Sequence, residues 1–296
     1  MVDRSLFEAR FYETYYFASA IKNILHDRYA YLRLLDDFYG EDRYLPLLQP
    51  YRRYSAFHYF INFIVSDMIN DQIDDSELLR RQNEYRRFET MPLALSEMKP
   101  WVLPIEEAFQ YYDFEYLPFR DWLKESNKTF LEATSDDVYE FYESLQVEGP
   151  LDELLYQAVQ ETFYIVFQNR PLLLLFNDIV SEHLKSIPTN DIPESYKALF
   201  NINGTLKRHR IPEWAKRAAF YRDKGMCVIC NCDLSGMLNV SNKVNYDHIV
   251  PLAQGGLNDV SNLQLLCAEC NHQKTKGDSY TSHYYQIWYP MLEHEK

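Results

Sequence analysis

Between Cys227 and Gly277 the chain gathers most of the residue types able to do chemistry. Cys227-Val-Ile-Cys230 opens this stretch, and Cys267-Ala-Glu-Cys270 leads directly into Asn271-His272-Gln273-Lys274. Asp247-His248-Ile-Val-Pro251, Gly255-Gly256 and Asn262 lie between. A Cys-x-x-Cys turn aims two thiolates at one ion, and two such turns complete a tetrahedron. Four sulfur ligands leave no open coordination position. Cys227, Cys230, Cys267 and Cys270 therefore predict a structural Zn²⁺ that clamps the two ends of the stretch together. All five cysteines of the chain fall between 227 and 270, where a disulfide framework would spread them through the fold. The fifth, Cys232, is expected to be a bystander, and the compartment a reducing one.

The elements around these residues decide what else can meet. Lys243 to Val250 reads as a short strand, Pro251 and Gly255-Gly256 as a loop, and Asn262 to Cys267 as a return toward a helix opening near Cys267. The zinc clamp draws the strand bearing Asp247 and His248 toward the helix bearing Asn271. A carboxylate, an imidazole and an amide then share one spot. Hard oxygen donors suit Mg²⁺ or Mn²⁺, and a neutral imidazole beside such an ion suits a general base. Upstream, Pro212 can start a helix. Trp214, Ala218 and Phe220 or Tyr221 are expected to face inward, with Lys216, Arg217 and Arg222 left in water. Those cations form a candidate phosphate-contact set, which a solvated helix face explains about as well.

At these residues the chain resembles the HNH endonuclease family, of the zinc-stabilised type, from about Arg208 to Asp278. The resemblance implies a ββα-metal fold and phosphodiester hydrolysis. It implies that His248 deprotonates the attacking water, that Asp247 and Asn271 hold a catalytic divalent ion, and that Asn262 fixes the loop carrying His248. Lys274 would approach a phosphate. His272, beside Asn271, is the alternative for the last metal position. The competing possibility is a non-catalytic, zinc-dependent module for binding nucleic acid or protein. By analogy alone, a nuclease with an added domain of unknown type suggests a bacterial restriction or phage-defence system.

The preceding sequence speaks to architecture more than chemistry. Residues 5–39 read as a helix or helical hairpin ended by Gly40, and 51–90 as similar, with Phe57, Phe60, Ile61, Ile64, Val65, Met68 and Ile69 at three- and four-residue spacing. Ser76 would start a charged helix in which Glu77 can pair with Arg80 and Arg81. Prolines 92, 100, 104 and 118 predict an irregular connector over 91–120. Ser135-Asp-Asp-Val-Tyr marks a helix start, and Gly149-Pro150 its end. Residues 151–186 predict two helices meeting at Asn169-Arg170-Pro171. No strand alternation or internal repeat is evident. The expected fold class is mainly α: an all-helical domain over 1–204 and a small zinc-stabilised ββα-metal domain over 205–296.

Charge supports this cut. Residues 205–296 carry 11 Lys/Arg against 9 Asp/Glu, and 1–204 carry 19 against 35. An acidic domain of this kind repels DNA, so 1–204 is expected to bind a protein partner or a second copy, or to regulate the nuclease. Its many tyrosines fit packing and interfaces better than base stacking. Asp36-Asp37, Asp74-Asp75 and Asp136-Asp137 read as solvated faces or caps, and His26, His58 and His183 as ordinary helix residues. No apolar run approaches the roughly 18 residues a membrane span needs, and the charged start lacks a signal peptide's apolar core. A cytoplasmic location is the expectation.

Overall fold

Proline and glycine set many of the helix ends, each for a local reason. The computed structural model describes residues 13–40, 42–70, 75–89, 102–237, 243–274 and 279–283. Helix α1 spans Thr14–His26 and α2 Leu32–Tyr39, with Gly40 as the C-cap of α2. Helices α3, Ala56–Asn70, and α4, Asp75–Glu89, follow. The expected Glu77 ion pairs lie outside the described side chains; Arg80 pairs with Glu84 and Arg81 with Glu107.

The connector expected over 91–120 is partly helical, which corrects that expectation. Helix α5 spans Pro104–Tyr112 and α6 Phe119–Glu125. Pro104 opens α5 and Pro118 is the N-cap of α6. At those positions a missing N–H costs nothing, so proline starts these helices instead of breaking them. The buried Glu106 carboxylate accepts hydrogen bonds from the N–H of Leu103 at 2.7 Å and of Phe119 at 2.9 Å, tying the two starts together.

Helix α7, Ser135–Glu148, is capped one residue earlier than expected, by Thr134 reciprocating with Asp137. It ends at Gly149, whose φ of 99° suits a residue without a side chain. Helix α8, Pro150–Val166, and α9, Arg170–Ser186, meet at Asn169, whose side chain accepts the N–H of Leu172. A short α10, Glu194–Lys197, precedes α11, Glu213–Arg222.

Strands β1, Val244–His248, and β2, Leu263–Cys267, pair antiparallel, and α12, Ala268–Gln273, continues directly from β2. This is the ββα order. Among the described residues there is no other named strand, so the fold class is mainly α with one small zinc-type ββα region. No described helix is long and apolar enough to cross a membrane.

The chain divides into two compact units, one of Met1–Ala18 with Ile61–Thr162 and one of Ser19–Phe60 with Phe163–Lys296. The cut expected near 204 falls inside the second. In the first unit Phe119 and Phe141 meet at 5.0 Å in the core. In the second, Phe176 of α9 packs at 4.8 Å on Phe57 and 5.3 Å on Phe60, both from the start of α3. Burying each such ring contributes about 1.5–3 kcal/mol. His183 stacks on Tyr39 at 3.8 Å, and His58 accepts the N–H of Ser55, so both histidines have structural partners.

Candidate active site and zinc centre

The two cysteine turns are built by different means. Asn231 takes a left-handed φ of 58°, and its N–H bonds the Cys227 carbonyl at 2.9 Å, closing the first turn. Cys267 is both the last residue of β2 and the N-cap of α12, its Sγ accepting the Cys270 N–H at 3.3 Å. The Val228 N–H bonds the Leu265 carbonyl at 3.0 Å and joins the first turn to β2. As a result the Sγ atoms of Cys227, Cys230, Cys267 and Cys270 all lie within 4.8 Å of one another. Those of Cys230 and Cys267 are 3.7 Å apart. A tetrahedron with Zn–S bonds of about 2.3 Å has edges of about 3.8 Å, so the quartet fits one Zn²⁺. Val228, Leu234, Leu265 and Leu266 pack around it.

Strand register then sets the candidate chemistry. Asp247 lies opposite Gln264 and His248 opposite Leu263. The buried Gln264 donates from Nε2 to Asp247 Oδ2 at 3.1 Å and to the Tyr280 carbonyl at 2.9 Å. Lys274 Nζ donates to the same Asp247 oxygen at 2.6 Å, and to the carbonyls of His248 and Ile249. Both side-chain bonds fall on Oδ2. Asp247, His248, Asn271, His272, Lys274 and Arg208 line one open cleft of about 990 Å³. An Asp carboxylate and an Asn amide opening into one cleft form a hard-oxygen donor set suited to Mg²⁺ or Mn²⁺. His272 is exposed and Asn271 half-buried.

His248 is buried, at 2 % exposure. Burial, reinforced by the charge of Arg208 and also Lys274 and opposed by Asp247, pushes its pKa down to about 4. The imidazole is therefore neutral at neutral pH. Among the described residues its Nδ1 has no hydrogen-bond partner, while Nε2 lies 3.4 Å from the Tyr51 hydroxyl.

Asn262, fully buried, cross-ties the loop after His248. Its Oδ1 accepts the Val250 N–H at 2.8 Å and its Nδ2 donates to the Val250 and Leu257 carbonyls, both at 2.9 Å. Its own carbonyl accepts the Ile249 N–H at 2.7 Å. The loop closes so tightly that a Cβ on Gly256 would stand 2.0 Å from the Val250 carbonyl oxygen. Only glycine allows that approach.

Two expected phosphate contacts are placed otherwise. Arg222 is not in water. The faces of α11 are rotated so that Ala215, Ala219 and Arg222 are buried and Tyr221 is 76 % exposed. Arg222 is paired with the fully buried Asp223, at 2.8 Å from Nε and 2.9 Å from Nη2, and lies over the Phe167 ring. Its role is structural. Lys274 is 5 % exposed, with its three donors directed at three protein oxygens, so its ammonium braces the turn after β1 instead of facing solvent. Arg217 remains exposed on α11. Arg208, Gln264 and Asn258 are site-building residues that the sequence reading did not single out. Asn258 carries no motif signal, yet it is 3 % exposed and bonds the backbone at Lys207 and His209, on either side of Arg208.

Residues 227–277 match the family model for HNH endonuclease. No curated protein and no solved structure matches the chain.

Proposed function

We propose that this protein is a metal-dependent HNH endonuclease that hydrolyses phosphodiester bonds, with DNA as its substrate. The observation that carries this reading is the single cleft shared by Asp247, His248, Asn271 and Arg208. A neutral, buried imidazole with an unpartnered Nδ1 suits proton abstraction from a water aimed at phosphorus. Asp247 and Asn271 would hold the divalent ion, which when bound offsets charge on the phosphate and the leaving oxygen. In the reaction the water oxygen bonds to phosphorus, the bond from phosphorus to the leaving oxygen breaks, and His248 takes the water's proton. Gln264 and Lys274 hold the Asp247 carboxylate, Asn262 holds the loop behind His248, and Arg208 is placed to meet a substrate phosphate. Zn²⁺ on the four cysteines would be structural.

The rival reading, a non-catalytic zinc-dependent interaction module, draws support from the Lys274 ammonium lying on the carboxylate that the ion would need. Plasmid, linear duplex and single-strand cleavage across a Mg²⁺ and Mn²⁺ series separates the two. His248→Ala should keep zinc content and the folded state while lowering the rate by roughly 10²–10⁴-fold. Wild-type protein inert with every metal supports the rival, and a fully active His248→Ala removes His248 as the base. The acidic helices fit a contact for a second copy or a protein partner, since Tyr139 and Tyr156 are 56 % and 58 % exposed. Five cysteines without disulfides suit a reducing cytoplasm. A place in restriction or phage defence rests on analogy with nucleases that carry an added domain.

A further inference from the structure

A segment far from residues 227–277 in sequence reaches the candidate base. Tyr51 follows Pro50 and precedes α3. It is 8 % exposed, and its Oη lies 3.4 Å from His248 Nε2. Its φ of 51° lies in the left-handed region, which an aromatic residue rarely adopts and keeps only where its surroundings hold it. Those surroundings are specific. The Tyr51 N–H donates to the Asn258 carbonyl at 2.8 Å, and the Ala56 N–H donates to Asp259 Oδ2 at 2.9 Å. Both ends of the 51–56 segment are thus fastened to consecutive residues of the loop after His248 that Asn262 cross-ties. The backbone is held in a costly conformation, and the ring it presents reaches Nε2 of the imidazole.

We propose that Tyr51 is a positioning residue for the nuclease reaction, its hydroxyl oxygen accepting the Nε2–H of His248 and so holding the tautomer with a free Nδ1 lone pair. The proposal rests on His248 being the base. A neutral imidazole has one donor nitrogen and one acceptor nitrogen, and a hydroxyl can serve either. With the proton on Nδ1, the Tyr51 O–H would donate to Nε2 and the base would be blocked; with the proton on Nε2, the Tyr51 oxygen accepts it and the Nδ1 lone pair is open to the proton of the attacking water, the arrangement the reaction requires. Burial, reinforced by Asp259, raises the Tyr51 pKa, so the phenol stays neutral and protonated.

Two measurements test this on the full-length, zinc-loaded protein. Nitrogen-15 NMR of the His248 ring, without added Mg²⁺ or Mn²⁺, should report the Nε2–H tautomer in wild type and a mixture in Tyr51→Phe. In plasmid nicking, Tyr51→Phe should lower kcat about tenfold, the effect of one lost hydrogen bond in the reacting state, with KM for DNA unchanged. An Nδ1–H tautomer in wild type overturns the proposal without recourse to any variant. So does a Tyr51→Phe protein with normal kcat, or one altered only in melting temperature or KM. If His248→Ala cleaves like wild type, the reading of His248 fails and this proposal with it. If His248→Ala is inactive while Tyr51→Phe is fully active, only the role of Tyr51 is lost.

Discussion

Replacing Asp223 with alanine should destabilise the unit that carries the site more than any single surface change. The Asp223 carboxylate is fully buried and accepts hydrogen bonds from Arg222 at 2.8 and 2.9 Å, from Arg170 at 3.3 Å and from the Leu265 N–H at 2.9 Å. It joins α11, α9 and β2. Alanine removes the carboxylate that the buried Arg222 and Arg170 guanidinium groups share. Removing one partner of a buried ion pair costs about 3–5 kcal/mol, because the remaining charge stays desolvated. The orphaned Leu265 N–H adds to that cost. At about 2–4 °C per kcal/mol for a unit of this size, the melting temperature should fall by roughly 6–20 °C. The assay is thermal and urea unfolding of the zinc-loaded protein, followed by circular dichroism. Arg222→Met serves as the companion variant. It should also destabilise, yet leave the salt dependence of DNA binding unchanged, since a guanidinium with no exposed surface neutralises no phosphate. An Asp223→Ala protein within about 1 kcal/mol of wild type would refute the reasoning, because that cost is typical of a surface site.

Cys227→Ser or Cys270→Ser should lose the zinc and unfold the region around β1, β2 and α12, since metal binding and folding form one equilibrium in such sites; native metal content together with an unchanged melting temperature would contradict this. If the acidic helices pair with a second copy, light scattering should give twice the 35.4 kDa chain mass, reduced by Tyr139→Ser with Tyr156→Ser. A monomer at every concentration would remove the homodimer reading.

Local chemistry was legible before any tertiary contact was known. The spacing of Cys227, Cys230, Cys267 and Cys270 already pointed to one metal site, because a two-residue gap leaves paired thiolates little choice of direction. The helix junction at Asn169 and the stop at Gly149 were readable for the same reason: caps act within a few residues. Pro104 and Pro118 misled because a proline at a helix start and one in a loop look alike in sequence. Arg222 and Lys274 misled more deeply. Both are cations beside a nuclease-like motif, and nothing local distinguishes an exposed cation from one sealed against a buried carboxylate. For Arg222 the difference lies in Asp223, Phe167 and the Leu263 carbonyl, which only packing brings to one point. Tyr51 is the extreme case. It lies 197 positions from His248, carries no motif, and reaches the imidazole because the Asn258 and Asp259 backbone and side chain anchor its segment. Ligand spacing and caps are encoded over a few residues. Which face of a helix is buried, and which distant side chain backs the base, depend on free energies of burial and pairing that exist only once the whole unit has closed.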